Sequence, residues 1–116
     1  MSAQEHTGTL AVPDASGVTA QLDTLLLQPA DAFALLVLAH GAGANLRHAN
    51  MEGIAQRLAA RGVATLRFNF PFMQALRKRV DDVPTAVRSI VAAAALARGI
   101  APTLPLFVGG HSFGGR

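Results

Sequence analysis

The sequence predicts an α/β fold, a mostly parallel sheet with helices on both faces. Three observations carry this. Short apolar runs of strand length alternate with stretches of helical period. The run Phe33 to Ala39 is apolar throughout, as a strand covered on both faces is. Proline, aspartate or glycine stands at most of the junctions. The order reads strand, strand, strand, helix, strand, helix, strand, which suits parallel strands joined by crossover helices.

Val18 to Gln28 is β-like: Val18, Ala20 and Leu22 share one parity before the stretch turns wholly apolar at Leu25-Leu26-Leu27. Pro29 and Asp31 supply a turn, and the strand Phe33 to Ala39 follows, bounded by Gly41. From Asn50 to Arg61 the period lengthens. Met51, Ile54, Ala55 and Leu58 form an apolar stripe, with Asn50 as expected N-cap and Gly62 as C′ residue. Val63 to Phe68 is the next strand, ended by Pro71, and a polar loop runs through Lys78 to Asp82. The second helix is expected from Asp82 or Val83, with Pro84 in its first turn and Gly99 as its stop. Its expected core stripe is Val83, Val87, Ile90, Val91 and Ala94. Leu104 to Val108 is the last strand and leads into Gly109-Gly110-His111-Ser112-Phe113-Gly114-Gly115-Arg116. No repeat or interdomain linker interrupts the chain, so residues 1–116 read as one domain or part of one.

Composition narrows the function classes. With 51% hydrophobic and 15% charged residues, the chain is globular rather than disordered. No apolar run approaches the roughly 18 residues of a membrane span, and Arg88 and Arg98 flank the alanine-rich stretch Val91 to Ala97. Met1 to Gly8 is polar and lacks the basic-then-apolar order of a secretory leader, so a soluble cytoplasmic protein is expected. The absence of cysteine excludes disulfides, thiolate metal sites and a cysteine nucleophile from this stretch. Net charge is +3, and the basic cluster Arg77-Lys78-Arg79 has Asp81-Asp82 close behind it, as in a solvated loop. A nucleic-acid surface would be a broader basic patch with interleaved aromatics. Neither nucleic acid nor membrane is expected as a partner.

Two glycine-rich segments carry chemistry. Gly110-His111-Ser112-Phe113-Gly114 matches G-x-S-x-G directly after a strand. That pattern builds a sharp strand-to-helix turn that lifts a serine hydroxyl above the sheet as nucleophile, the glycines leaving room where a Cβ would meet backbone. His40-Gly41-Ala42-Gly43-Ala44-Asn45 follows an earlier strand. A serine acyl-transfer site needs two backbone N–H groups for its oxyanion, one from the residue after the nucleophile and one from such an earlier loop. Here these are Phe113 and Ala42, with Gly41 the fallback for the second donor and Gly43 giving the loop its close approach. Neither phosphate-binding glycine pattern is present. Histidines His6, His40, His48 and His111, like all seven acidic residues, precede or adjoin Ser112. His40 is expected to brace its loop by hydrogen bonding. His111 should diverge from the serine, and His48 should be exposed ahead of the first helix. The histidines lack metal-site spacing, so no metal and no cofactor is expected.

His40 to Ala44, Leu66-Arg67-Phe68-Asn69-Phe70-Pro71-Phe72-Met73, and Gly109 to Arg116 together resemble the α/β-hydrolase superfamily. More narrowly, the chain is similar to a dienelactone-hydrolase-like group related to a testis-expressed animal protein and a subunit of the NSL histone-acetyltransferase complex. Arg-Phe-Asn-Phe-Pro is the most diagnostic match, and the resemblance runs from about Val18 to the last residue. It departs at Gln74-Ala75-Leu76, where an acidic residue and a glycine are expected, and at Val80, where proline is. The resemblance implies a sheet of about seven or eight strands and a chain of about 200 residues, so that residues 1–116 are the N-terminal part of one domain, truncated after the elbow strand. It further implies a serine hydrolase acting on an ester, thioester or related acyl bond of a small molecule, with the triad Asp and His following Ser112 in sequence. Alone, the 116 residues are then expected to be inactive. The alternative is a non-catalytic, hydrolase-like interaction module, as the chromatin-complex relative suggests.

Overall fold

In the computed structural model, residues 3–13, 17–41, 48–76 and 81–110 are described. Their elements are β1 (Gln4–Pro13), β2 (Thr19–Gln28), β3 (Ala34–Ala39), α1 (Ala49–Ala60), β4 (Val63–Phe68), α2 (Pro71–Gln74), α3 (Val83–Ile100) and β5 (Leu106–Gly110). The five strands form one sheet in the order β1-β2-β4-β3-β5. β1 pairs with β2, and β2 with β4, antiparallel; β3 pairs parallel with both β4 and β5. The sheet is thus mixed, parallel over β4-β3-β5 and antiparallel at its β1 edge.

Alternation along the strands divides the core. Leu35, Val37 and Ala39 of β3 and Ala64, Leu66 and Phe68 of β4 join one buried cluster with Ala86, Ala93 and Ala97 of α3. Leu27 packs instead with Ala55 and Ala59 of α1. Arg67, of opposite parity to Leu66, meets Glu52 of α1. Since successive strand residues face opposite sides, α1 and α3 cover opposite faces of the sheet. β3 lies between two parallel neighbours and is buried along nearly its whole length, as its unbroken apolar run requires.

The two long helices start and stop on identifiable signals. α1 is capped by His48 rather than Asn50: the His48 Nδ1 accepts from the Asn50 N–H at 3.2 Å. Gly62 ends it at φ +85°, its N–H donating to the Ala59 carbonyl at 3.0 Å. A Cβ there would lie 3.0 Å from the Phe33 ring, so side-chain packing as well as backbone angle calls for glycine. α3 begins at Asp82, whose Oδ1 accepts from the Thr85 N–H at 2.8 Å, with Pro84 in the first turn.

The core face of α3 differs from the expected stripe. Thr85, Ala86, Ser89, Ala93 and Ala97 are buried, whereas Val83, Val87 and Val91 are exposed and Ile90 and Ala94 half-buried. The helix is apolar nearly all round, so periodicity alone does not choose a face, and close approach to the sheet selects the small residues. The buried Ser89 hydroxyl is satisfied by donating to the Thr85 carbonyl at 2.9 Å. By length and composition α3 is also apolar enough to cross a membrane, although Arg88 and Arg98 interrupt its apolar run; its small-residue face lies against the sheet. Other boundaries shift as well: β1 was not foreseen, α2 opens at the proline that ends β4, and the last strand lies at Leu106–Gly110 rather than Leu104 to Val108.

Candidate active site

β3, β4 and β5 run parallel, and their carboxyl ends are in register: Ala39 stands opposite Phe68 on one side and Gly110 on the other. The segments beginning at His40, Asn69 and His111 therefore leave neighbouring strand ends, which lie about 5 Å apart. This is the edge of an open α/β sheet where ligands are bound.

His40 is the best-defined side chain at this edge. It is fully buried. The Phe70 N–H donates to its Nε2 at 2.9 Å, and its Nδ1 lies 2.6 Å from the Gly41 carbonyl oxygen. An imidazole whose Nε2 accepts, and whose Nδ1 faces a carbonyl, is neutral with its proton on Nδ1. The rings of Phe70 and Phe72 pack edge-on to it at 5.0 and 5.6 Å. Burial in this aromatic setting pushes the imidazole below its ordinary range, opposed in part by the Gly41 carbonyl. The bracing role expected of His40 is thus present, and it ties β3's exit to β4's.

Phe68, Phe70 and Phe72 are all buried, Phe68 and Phe70 in edge-to-face contact at 4.9 Å. Full burial of each is worth about 1.5–3 kcal/mol. The turn they span is held at both ends. The Asn69 N–H donates to the Asp23 carbonyl at 3.1 Å, and the Phe72 N–H to Asp81 Oδ2 at 3.1 Å. Gln74 Oε1 accepts from the Asp23 N–H at 2.9 Å and from Asn69 Nδ2 at 3.2 Å, while its Nε2 donates to Asp23 Oδ2 at 3.1 Å. Leu76, within the Gln74-Ala75-Leu76 departure from the family pattern, has φ +56°. On the other face of β4, the buried Arg67 pairs with Glu52 at 3.0 Å, anchoring α1 to the strand that ends in this turn.

Of the site residues named from sequence, the described region holds Gly41, buried just after β3, and Gly110, exposed at the end of β5. Ala42, Gly43, Ser112, Phe113 and Gly114 lie outside the described residues, as does His111. Among the described residues no group of three or more His, Asp or Glu side chains is arranged to hold a metal ion. Asp23, Gln74 and Asp81 carry no motif and were missed. Only the departure from family pattern at Gln74 hinted that this turn is closed differently.

Residues 32–116 match the family described as "Alpha/beta hydrolase domain", and the chain belongs to it. No curated protein matches the chain. Among solved structures, dienelactone hydrolase from Anabaena variabilis is similar at 22% identity and TM-score 0.79, over 99% of this chain and 55% of that one. A cold-adapted esterase from an Arctic intertidal metagenomic library matches at 20% identity and TM-score 0.75, over 98% and 53%. An alpha-beta serine hydrolase homologue from Coxiella burnetii matches at 18% identity and TM-score 0.72, over 92% and 52%. At these identities the likeness is one of fold, the dienelactone-hydrolase-like α/β-hydrolase sheet. The chain spans about half the length of these structures.

Proposed function

We propose that this chain carries the nucleophile half of a serine hydrolase that cleaves an ester, thioester or related acyl bond of a small molecule. Ser112 Oγ attacks the acyl carbonyl, and its proton passes to a histidine that an acid orients, both supplied by sequence following Ser112. The tetrahedral oxyanion is held by the N–H groups of Phe113 and Ala42. Collapse expels the alcohol or thiol, which takes the proton from the histidine, and water then releases the acid by the same path. Gly110 and Gly114 leave the elbow room to turn, and Gly41 and Gly43 do the same for the oxyanion loop. None of these steps calls for a cofactor.

The observation that supports this most is the register of β3 against β5, Ala39 opposite Gly110, which starts the two chemistry-bearing segments from adjacent strand ends. A nucleophile and an oxyanion loop have to converge, and segments that start from adjacent strand ends begin close enough to do so. The test is turnover of p-nitrophenyl esters of short acids by the full-length protein. Hydrolysis that disappears in Ser112→Ala supports the reading, and turnover unchanged by that substitution overturns it.

A further inference from the structure

β1 ends the strand order, and among the described residues no strand lies beyond it. An edge strand turns a row of main-chain donors and acceptors outward, and native proteins blunt that row with lysine, proline, a bulge or a short strand. β1 has none of these between Gln4 and Val12. It runs for ten residues, each paired one to one with β2, so no bulge interrupts it. Its side chains are exposed except Leu10 and Val12, and apart from His6 only Glu5 is ionisable. The usable edge stops at Pro13, which has no N–H and whose carbonyl accepts from Arg88 Nε at 3.1 Å. β5, at the other end of the sheet, differs in kind. Phe107 and Val108 are both exposed although they face opposite sides, so β5 has the composition of an interior strand.

We propose that β1 is a homodimer interface, pairing antiparallel with β1 of a second copy of this chain about a two-fold axis at Gly8. Gly8 is the midpoint of Gln4 to Val12, so this register uses the whole edge. A strand paired with itself in this way sets Thr7 opposite Thr9 at two symmetric places, and Thr–Thr pairs are favourable cross-strand neighbours. Glu5 falls opposite Ala11, His6 opposite Leu10 and Gln4 opposite Val12, so no like charges meet. A two-fold centred on Glu5 would instead oppose two carboxylates. Antiparallel pairing from Gln4 to Val12 exchanges about 8–10 main-chain hydrogen bonds, within the about 10 ± 5 of a typical interface. The helices leave room for it. α3 packs at the Pro13 end of β1, where Leu10 and Val12 join Ala86 in the core, and antiparallel pairing carries the second α3 to the other end. The axis is perpendicular to the sheet, so β3, β4 and β5 of the two copies run in opposite directions. The two candidate sites then open at opposite edges of one continuous sheet.

Charge placed on the exposed Thr7 and Thr9 tests both the interface and its register. Sedimentation equilibrium of the full-length protein should show monomer and dimer in exchange. Thr7→Lys/Thr9→Lys opposes lysines at two places and should raise the dimer Kd by about tenfold or more. Thr7→Glu/Thr9→Lys opposes unlike charges at the same two places and should leave the dimer at least as tight as wild type. Hydrogen exchange reads the interface without substitution. Amides from Gln4 to Val12 should exchange more slowly as the protein concentration rises, while those of β3 should not change. A full-length protein that is monomeric at every concentration overturns the proposal, as does exchange in β1 that is indifferent to concentration. A dimer that ignores both double variants, or loosens equally in both, is not joined in this register and overturns it too.

Discussion

Asp23 and Gln74 hold each other twice: the Asp23 N–H donates to Gln74 Oε1 at 2.9 Å, and Gln74 Nε2 donates to Asp23 Oδ2 at 3.1 Å. Only an amide can do both. A carboxylate at position 74 would present an acceptor to the Asp23 carboxylate. Gln74→Glu should therefore destabilise the protein by about 1 kcal/mol at neutral pH, the net worth of one hydrogen bond plus a weak like-charge contact. Asp23→Asn should restore part of the loss, a coupling of about 0.5–1 kcal/mol in a double-mutant cycle read by urea unfolding. Additive effects would contradict the pairing.

Leu76 occupies the left-handed region at φ +56° with its side chain 85% exposed. A leucine there costs about 1–2 kcal/mol, and little burial is lost by trimming it. Glycine removes that strain but adds unfolded-state entropy of about 0.4–1 kcal/mol. Leu76→Gly should thus stabilise the protein by about 0.5–1 kcal/mol, visible as a rise in Tm, whereas Leu76→Ala should gain less. A fall in Tm for the glycine variant would show that this turn does not keep its backbone angle in solution.

Two groups give the stability a predictable acid dependence. His40 is held neutral in the fold by burial, so the folded chain resists a proton that the unfolded chain takes up below the ordinary value of 6.5. Stability is complete above 6.5 and falls as the pH drops from there through the lowered value of the folded state. Asp82 is held low by the Thr85 hydroxyl and the Thr85 N–H. Its contribution is complete above the ordinary 3.8 and is lost as the pH falls through its lowered value. Urea midpoints followed downward from pH 7.5 should show the first decline in wild type and not in His40→Asn. Parallel curves for the two proteins would remove His40 from the account.

β5 is an edge strand among the described residues, with Phe107 and Val108 58% and 51% exposed. An uncharged apolar edge is a template for pairing with another chain. Residues 1–116 expressed alone should self-associate, and Phe107→Lys should shift the size-exclusion profile toward monomer. A wild-type 1–116 chain that is monomeric with one cooperative unfolding transition would refute this.

The parts of the fold legible in the sequence are those where one face is buried and the other is not, or where both are. β3's unbroken apolar run and the Asp82 and Gly62 helix ends all carry their own chemistry. β1 was illegible because only Leu10 and Val12 of its ten residues are buried, so most of the strand reads as polar surface. The core face of α3 was misread for the opposite reason: valines fit a buried stripe by size and polarity, but the sheet accepts the alanine and serine face. At the site, His40 declared itself by motif and position. Asp23 and Gln74 did not, since their link spans 51 residues and depends on which way a turn closes.

Mass-spectrometric mapping of the full-length protein after reaction with a fluorophosphonate reads the nucleophile itself. A single adduct is expected on the peptide containing Ser112. The adduct should be absent in Ser112→Ala, lost when Gly110 or Gly114 gains a side chain, and strongly reduced when the histidine following in the sequence is replaced. A folded protein that remains unmodified, or is modified at another serine, would contradict the hydrolase reading and leave the fold serving as an interaction module.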